Sequence, residues 1–129
     1  MPGLVELLKK FYKKGIPMAV ASSSGHEIID ILLKQISIRK YFKFTVSSEL
    51  VGGSKPEPDI FLYTADLLLV KPEECIVIED STNGIRAAKA ANMFCVAYNG
   101  ASGNSQNQSL ADVQINDYSE LESIIASYF

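Results

Sequence analysis

Glu79 and Asp80 stand side by side where the apolar run Cys75–Ile78 breaks off into Ser81-Thr-Asn-Gly84. Two carboxylates crowded at one strand end repel each other unless a proton or cation lies between them, and a hard cation with oxygen ligands, Mg²⁺ above all, suits the pair. The plainer alternative is that Glu79 starts a loop while Asp80 or Ser81 caps the next helix. Ser22-Ser23-Ser24-Gly25 is a second polar station directly after a short apolar run. Hydroxyls and backbone N–H groups at a helix start make an anion site, with simple N-capping as the alternative. Lys55, within Gly53-Ser-Lys-Pro-Glu-Pro-Asp59, is a third station, where the prolines after it fix the direction of one ammonium. An anion hole, a positioned cation and an acid pair for metal together describe phosphoryl transfer, in which catalysis is mainly positioning and charge neutralisation.

These stations need a scaffold, and the hydrophobic pattern supplies one. Leu4, Val5, Leu7, Leu8, Phe11 and Tyr12 follow helical spacing up to Gly15. A buried strand is expected over residues 16–21, then a helix with Ile28, Ile29, Leu32, Leu33 and Ile36 on one face. Another strand is expected over Phe42–Val46, and a loop opens at Gly52-Gly53. Pro58 suits the first turn of a helix bearing Ile60, Phe61, Thr64, Ala65 and Leu68. A strand over Cys75–Ile78, an alanine-rich helix to Asn92 and a strand over Met93–Tyr98 follow. Asn99–Ser109 is polar and reads as a surface loop, Val113–Ile115 as a weak edge strand, and Tyr118–Tyr128 as a final helix. Repeated β–α alternation predicts an α/β, Rossmann-like, mostly parallel sheet with helices on both faces. The polar stations then fall at carboxyl ends of strands, where ligands of open α/β sheets gather, or in loops within reach of them.

The 129 residues suit one domain. A net charge of −3 offers no electrostatic footprint for nucleic acid, and no apolar run reaches the ~18 residues of a membrane span. Lys9, Lys10, Lys13 and Lys14 read as a solvated helix face. Cys75 and Cys95 lie in apolar strand-like runs and read as small core residues of a reducing compartment, which with the absence of a signal peptide predicts a cytoplasmic protein.

Three segments resemble, in order, motifs of the haloacid dehalogenase-like (HAD) superfamily of Mg²⁺-dependent phosphatases and phosphosugar mutases. Val20-Ala-Ser22-Ser-Ser is similar to the second motif, Ser54-Lys55-Pro56-Glu-Pro58-Asp-Ile-Phe61 to the third, and Ile76-Val-Ile-Glu79-Asp80-Ser-Thr-Asn-Gly84 to the fourth. The wording is closest to the β-phosphoglucomutase-like branch, and the resemblance spans residues 2 to about 100, Pro2-Gly3 matching the point where the core resumes after a cap domain. It implies that Ser22 and Ser23 hold the phosphoryl group, that Lys55 neutralises it, and that Glu79 and Asp80 hold Mg²⁺. Ser22 and Lys55 are the catalytic residues it implies, acting on a small phosphorylated metabolite.

The chain departs from that pattern at the first motif, a strand ending Asp-x-Asp that supplies the nucleophile and general acid/base. No Asp-x-Asp occurs, and Asp30, Asp59, Asp66, Asp112 and Asp117 are in other contexts. Residues 1–129 therefore read as a partial HAD-like core, with the first motif and the cap expected upstream of Met1. In the family's sheet the missing strand is central, between the Ser22 and Glu79 strands. Covalent phosphoryl transfer without its nucleophile has no route, so the chain alone is expected to catalyse nothing. The alternative is a truncated, non-catalytic binding or interaction protein. Its gap would be closed by rearrangement or by a second molecule, and unpaired edges would favour self-association.

Other readings fit less well. A P-loop NTPase needs Gly-x-x-x-x-Gly-Lys-Ser/Thr, which is absent, and a receiver domain places its acid pair after the first strand, which here ends in serines. His26 reads as a solvated helix-start residue, Asn83 as a cap for the helix after Asp80, and Arg86 and Lys89 as outer-face residues.

Overall fold

The computed structural model describes residues 3–22, 31, 33–48, 51, 57–99 and 107–127. Its elements are α1 (Leu4–Lys13), β1 (Ala19–Ser22), β2 (Phe44–Ser47), α2 (Asp59–Leu67), β3 (Ile76–Glu79), α3 (Thr82–Ala90), β4 (Phe94–Tyr98), β5 (Val113–Ile115) and α4 (Ser119–Ala126). Short 3₁₀ turns cover Arg39–Tyr41 and Pro72–Glu74. Among the described residues strands and helices alternate as expected, though most of the helix expected around Ile28–Ile36, including Ile28, Ile29 and Leu32, lies outside them, and every ladder is parallel: β1 with β2, β3 with β4, and β4 with β5.

Side-chain alternation along β4 divides the core into two layers. Cys95 and Ala97 face α2 and α3, packing with Ile60, Phe61, Ile85 and Ala88. Val96 faces the opposite way, onto Leu7 and Phe11 of α1 and Leu121 and Ile125 of α4. A strand apolar on both sides is what a sheet covered by helices on both faces requires. The alanines of α3 let that helix lie close, and Ala87 and Ala88 are fully buried.

The ladders form two sheets. β1 and β2 make one, and β3, β4 and β5 the other. Residues of β1 and of β3 line one cavity of about 380 Å³.

The helix-to-strand junctions share one device. After α1, after the helical residues 33–35, after α2 and after α3, a residue with φ near +60 to +80° turns the chain: Gly15, Ser37, Leu69 and Asn92. Around α2 the Leu69 N–H donates to the Asp66 carbonyl and the Val70 N–H to the Ala65 carbonyl, the paired bonds of a Schellman motif. The same pair recurs at Gly15-Ile16, Ser37-Ile38 and Asn92-Met93. In each case the next residue is apolar and enters the core.

These motifs explain where the expected boundaries moved. Ile16 belongs to the turn after α1, and Pro17 has no N–H to give a ladder, so β1 begins at Ala19 and not at 16. A 3₁₀ turn takes the approach to Phe42, so β2 begins at Phe44. Tyr12 and Ile36, placed on apolar faces by spacing, are exposed. The lysines of α1 are solvated as expected, and Lys10 reaches Glu122 of α4 at 3.2 Å. Lys89 is less exposed than expected: it donates to Asp112 Oδ2 at 2.7 Å and to the Met93 carbonyl at 3.1 Å. The same Asp112 oxygen accepts from the Cys95 N–H at 2.8 Å, continuing the β4 edge past the start of β5. Burial acts to raise the Asp112 pKa, but Lys89 and the backbone donors outweigh it and hold the carboxyl below its usual value. Both cysteines are free thiols.

Leu69 is the uneconomical member of the Schellman set. It holds φ +60° with its side chain 89% exposed, so left-handed strain is uncompensated by packing. Leu69→Gly is expected to raise stability by about 1 kcal/mol, read as a higher urea midpoint at unchanged slope. A loss of stability would show that Leu69 makes a contact not evident from its exposure.

Candidate functional site

Glu79 is the last residue of β3, and its carboxylate folds back over the turn that follows. Oε1 accepts from the Asp80 N–H at 3.1 Å, the Ser81 N–H at 3.4 Å and the Ser81 hydroxyl at 3.3 Å. Asp80 is exposed on the rim. Ser81 is the N-cap of α3, its Oγ accepting from the Gly84 N–H at 3.0 Å. Capping therefore falls to Ser81, and Asn83, expected as a cap, is exposed in the first turn. Capping and carboxylate presentation are compatible here, because different residues of one turn perform them.

Gly84 sets how closely this turn packs. A Cβ placed on it would overlap the Glu79 side chain at Cγ, Cδ and Oε2. The absence of a side chain lets the start of α3 press against Glu79 and confine its carboxylate to one side.

A buried amide ties the acid turn to the rest of the rim. Gln108, 4% exposed, donates through Nε2 to the Asp80 carbonyl and to the Tyr98 carbonyl, each at 3.0 Å. Its Oε1 accepts from Gln114 Nε2 at 3.4 Å. Next to it the Asn107 carbonyl accepts from Thr82 Oγ1 at 2.9 Å. The carboxyl ends of β3 and β4 and the start of α3 are thereby fixed to one another. Tyr98 stacks on Tyr118 with ring centroids 4.2 Å apart and planes at 11°. Burial, then Tyr98 and the Asp80 carboxylate, push the Tyr118 phenol above its usual 10. Of the surface loop expected over Asn99–Ser109, residues 100–106 lie outside the described residues. Asn107 and Ser109 are exposed as expected, but Gln108 is core, a role that its polar type and lack of periodicity conceal.

Ser22 ends β1 and pairs in register with Ser47, which is fully buried at the end of β2. Ser23, Lys55 and His26 lie outside the described residues. Among the described residues no group of three or more His, Cys, Asp or Glu side chains gathers to hold a metal. The pair Glu79–Asp80 does suit Mg²⁺, which commonly takes one or two carboxylates and completes its octahedron with water and phosphate oxygens. Cys95 is no competitor. Burial, then the Glu79 and Asp112 carboxylates, push its thiol up to about 12, so it stays protonated at neutral pH.

Gln108→Leu keeps the volume but leaves the Asp80 and Tyr98 carbonyls without their shared donor. A loss of about 1–3 kcal/mol is expected in urea unfolding, with faster amide exchange across residues 80–84 than across β4. A loss below about 0.5 kcal/mol would mean that water replaces the amide without cost.

Comparison with known proteins bears on this geometry. The family model for haloacid dehalogenase-like hydrolases matches residues 1–98. The chain is 40% identical over 93 residues to the fructose-1-phosphate phosphatase YqaB of Escherichia coli, covering 72% of this chain and 49% of that protein. A β-phosphoglucomutase structure from Clostridium difficile superposes with a TM-score of 0.84 at 32% identity, over 99% of this chain and 56% of that one. A HAD family hydrolase from Deinococcus radiodurans, solved with bound phosphate and sodium, gives 0.89 at 26% identity, over 99% and 59%. The chain spans about half, or less, of the length of the curated relatives it matches. It belongs to the haloacid dehalogenase-like hydrolase family.

Proposed function

We propose that this chain is the phosphate- and metal-holding part of a Mg²⁺-dependent phosphoryl-transfer core acting on a small phosphate ester, as a phosphatase or a phosphosugar mutase. The observation that carries the reading is the acid turn. Glu79 ends β3 with the exposed Asp80 directly after it, and Gly84, Ser81 and Gln108 hold that turn in place. Phosphatases and a β-phosphoglucomutase among its relatives support the same substrate class.

In this reading Glu79 and Asp80 would hold Mg²⁺ through carboxylate oxygens, and the ion would supply positive charge to neutralise a bound phosphate. The Ser22 hydroxyl and the backbone at Ser23 donate to the phosphoryl group. Lys55 adds one fixed positive charge beside it. The attacking carboxylate lies outside residues 1–129, because no Asp-x-Asp occurs among them. The chain alone thus binds without turnover, and the upstream segment and cap complete the enzyme and choose the ester.

Magnesium titration of the chain by amide NMR tests this. Saturable shifts confined to residues 79–84 are expected, with dissociation in the millimolar range because two carboxylates and water complete the shell. Asp80→Asn should weaken binding roughly tenfold or more. Gly84→Ala, which forces the Glu79 carboxylate aside, should weaken it with α3 intact. Unchanged magnesium affinity in Asp80→Asn would sink the metal assignment. Hydrolysis of a simple aryl phosphate by the purified chain, surviving Asp80→Asn and Lys55→Ala, would sink the division of labour.

A further inference from the structure

We propose that the hollow between the end of α1 and the 3₁₀ turn Arg39–Tyr41 binds a small flat-ring phosphate, of the kind a nucleoside monophosphate represents, at a site separate from the acid turn. The inference goes beyond the phosphoryl-transfer reading and does not rest on it.

Tyr12 with residues 15–18, and residues 40–43 facing them, line a second cavity of about 340 Å³. Small-molecule sites begin at roughly that size. The cavity lies at the amino ends of β1 and β2, because its walls run on into Ala19 and Phe44. Ser22 and Ser47, which end those strands, are roughly 10 Å further along the sheet. Charge is concentrated here. The segments that build the walls, residues 9–18 and 34–48, hold eight of the chain's twelve lysines and arginines and no aspartate or glutamate, although the chain as a whole carries a net charge of −3. Lys40 and Lys43 line the cavity itself, while Lys13 and Lys14 offset the partial negative charge at the carboxyl end of α1. Lys10 is engaged elsewhere, by Glu122.

An aromatic corner completes the site. Tyr12 stands 57% exposed against the buried Tyr41, with ring centroids 5.6 Å apart and planes at 69°. An edge contact covers at most one face of the Tyr12 ring, so ring surface is left for a planar partner to stack on. Lys40 Nζ lies 5.4 Å from the centre of the Tyr41 ring, which holds an ammonium beside that corner. The walls are pinned before any ligand arrives. The Lys43 N–H donates to the Met18 carbonyl at 2.7 Å, the Gly15 N–H to the Tyr12 carbonyl at 3.0 Å, and Arg39 Nη1 to the Phe42 carbonyl at 2.7 Å. A matching ligand carries a flat ring for Tyr12 and a compact negative charge for Lys40 and Lys43. A phosphate monoester brings about −1.5 to −2 charges and three acceptor oxygens at neutral pH, which suits two ammonium groups better than a single carboxylate does. A folded partner needs far more surface than this cavity offers.

The test titrates the whole chain with adenosine 5′-monophosphate and follows its amides by NMR. Saturable shifts are expected at residues 12–16, 18 and 40–43, and none at 79–84. Adenosine offers the ring alone and ribose 5-phosphate the charge alone, so each should bind roughly tenfold or more weakly than the nucleotide. Tyr12→Ala, a change at an exposed position, should weaken the nucleotide roughly fivefold or more while β4 amides keep their positions, and Tyr12→Phe should restore binding. Lys40→Gln should weaken it as well and reduce its dependence on salt. Asp80→Asn should bind the nucleotide unchanged, which separates failure of this inference from failure of the metal reading. No saturable shifts, equal binding of ribose 5-phosphate, or full affinity in Tyr12→Ala would overturn the proposal. Shifts centred on residues 79–84 would overturn it too, giving the phosphate to the acid turn.

Discussion

Strands in a parallel sheet need partners on two edges and cover on two faces, and among the described strands only β4 has all four. Its three central residues are wholly shielded, alternating between the α2–α3 layer and the α1–α4 layer. Neighbouring elements take their placement from it. β3 and β5 pair along its edges, Asp112 extends its hydrogen bonding beyond β5, and α3 lies on it through alanines small enough for close approach. β1, β2, β3 and β5 each have one ladder partner among the described residues; of these β1 and β3 are the less shielded, and both line the cavity.

The same constraint builds the candidate site. A strand buried on both faces can present chemistry only where it ends, so polar groups collect at the carboxyl rim. Presenting a carboxylate there requires that the turn be held without using that carboxylate as the cap. Ser81 provides the cap, Gly84 provides room for Glu79, and Gln108 anchors the Asp80 carbonyl from below. Asp80 then sits on the exposed rim while its backbone is fixed on a buried amide. Rigid backbone with an outward side chain is the combination that a metal-holding acid needs.

Much of this was legible in the residues, and the exceptions have physical causes. Periodicity located α1, α2, α3 and the strands because each buries one face or both, and that burial repeats along the chain. Boundaries slipped where hydrogen bonds, not hydrophobicity, decide them: an apolar residue after a left-handed turn looks like the first residue of a strand, as Ile16 does. Leu69 gave no turn signal because leucine rarely takes a positive φ, yet the Schellman bonds place it there. Gln108 was hidden because a buried amide is recognisable only by its partners, the Asp80 and Tyr98 carbonyls, which are 28 and 10 residues away. The strand ends at Ser22 and Glu79 were readable because polar side chains break off apolar runs there. Ser23 and Lys55 lie outside the described residues and remain part of the proposal alone.

Cavity and acid turn also constrain each other. Glu79 belongs to both, lining the cavity through its place on β3 and reaching the acid turn through Oε1. Ser81 and Gly84 confine that side chain, so a change in the packing of the cavity wall reaches the turn through Glu79 itself.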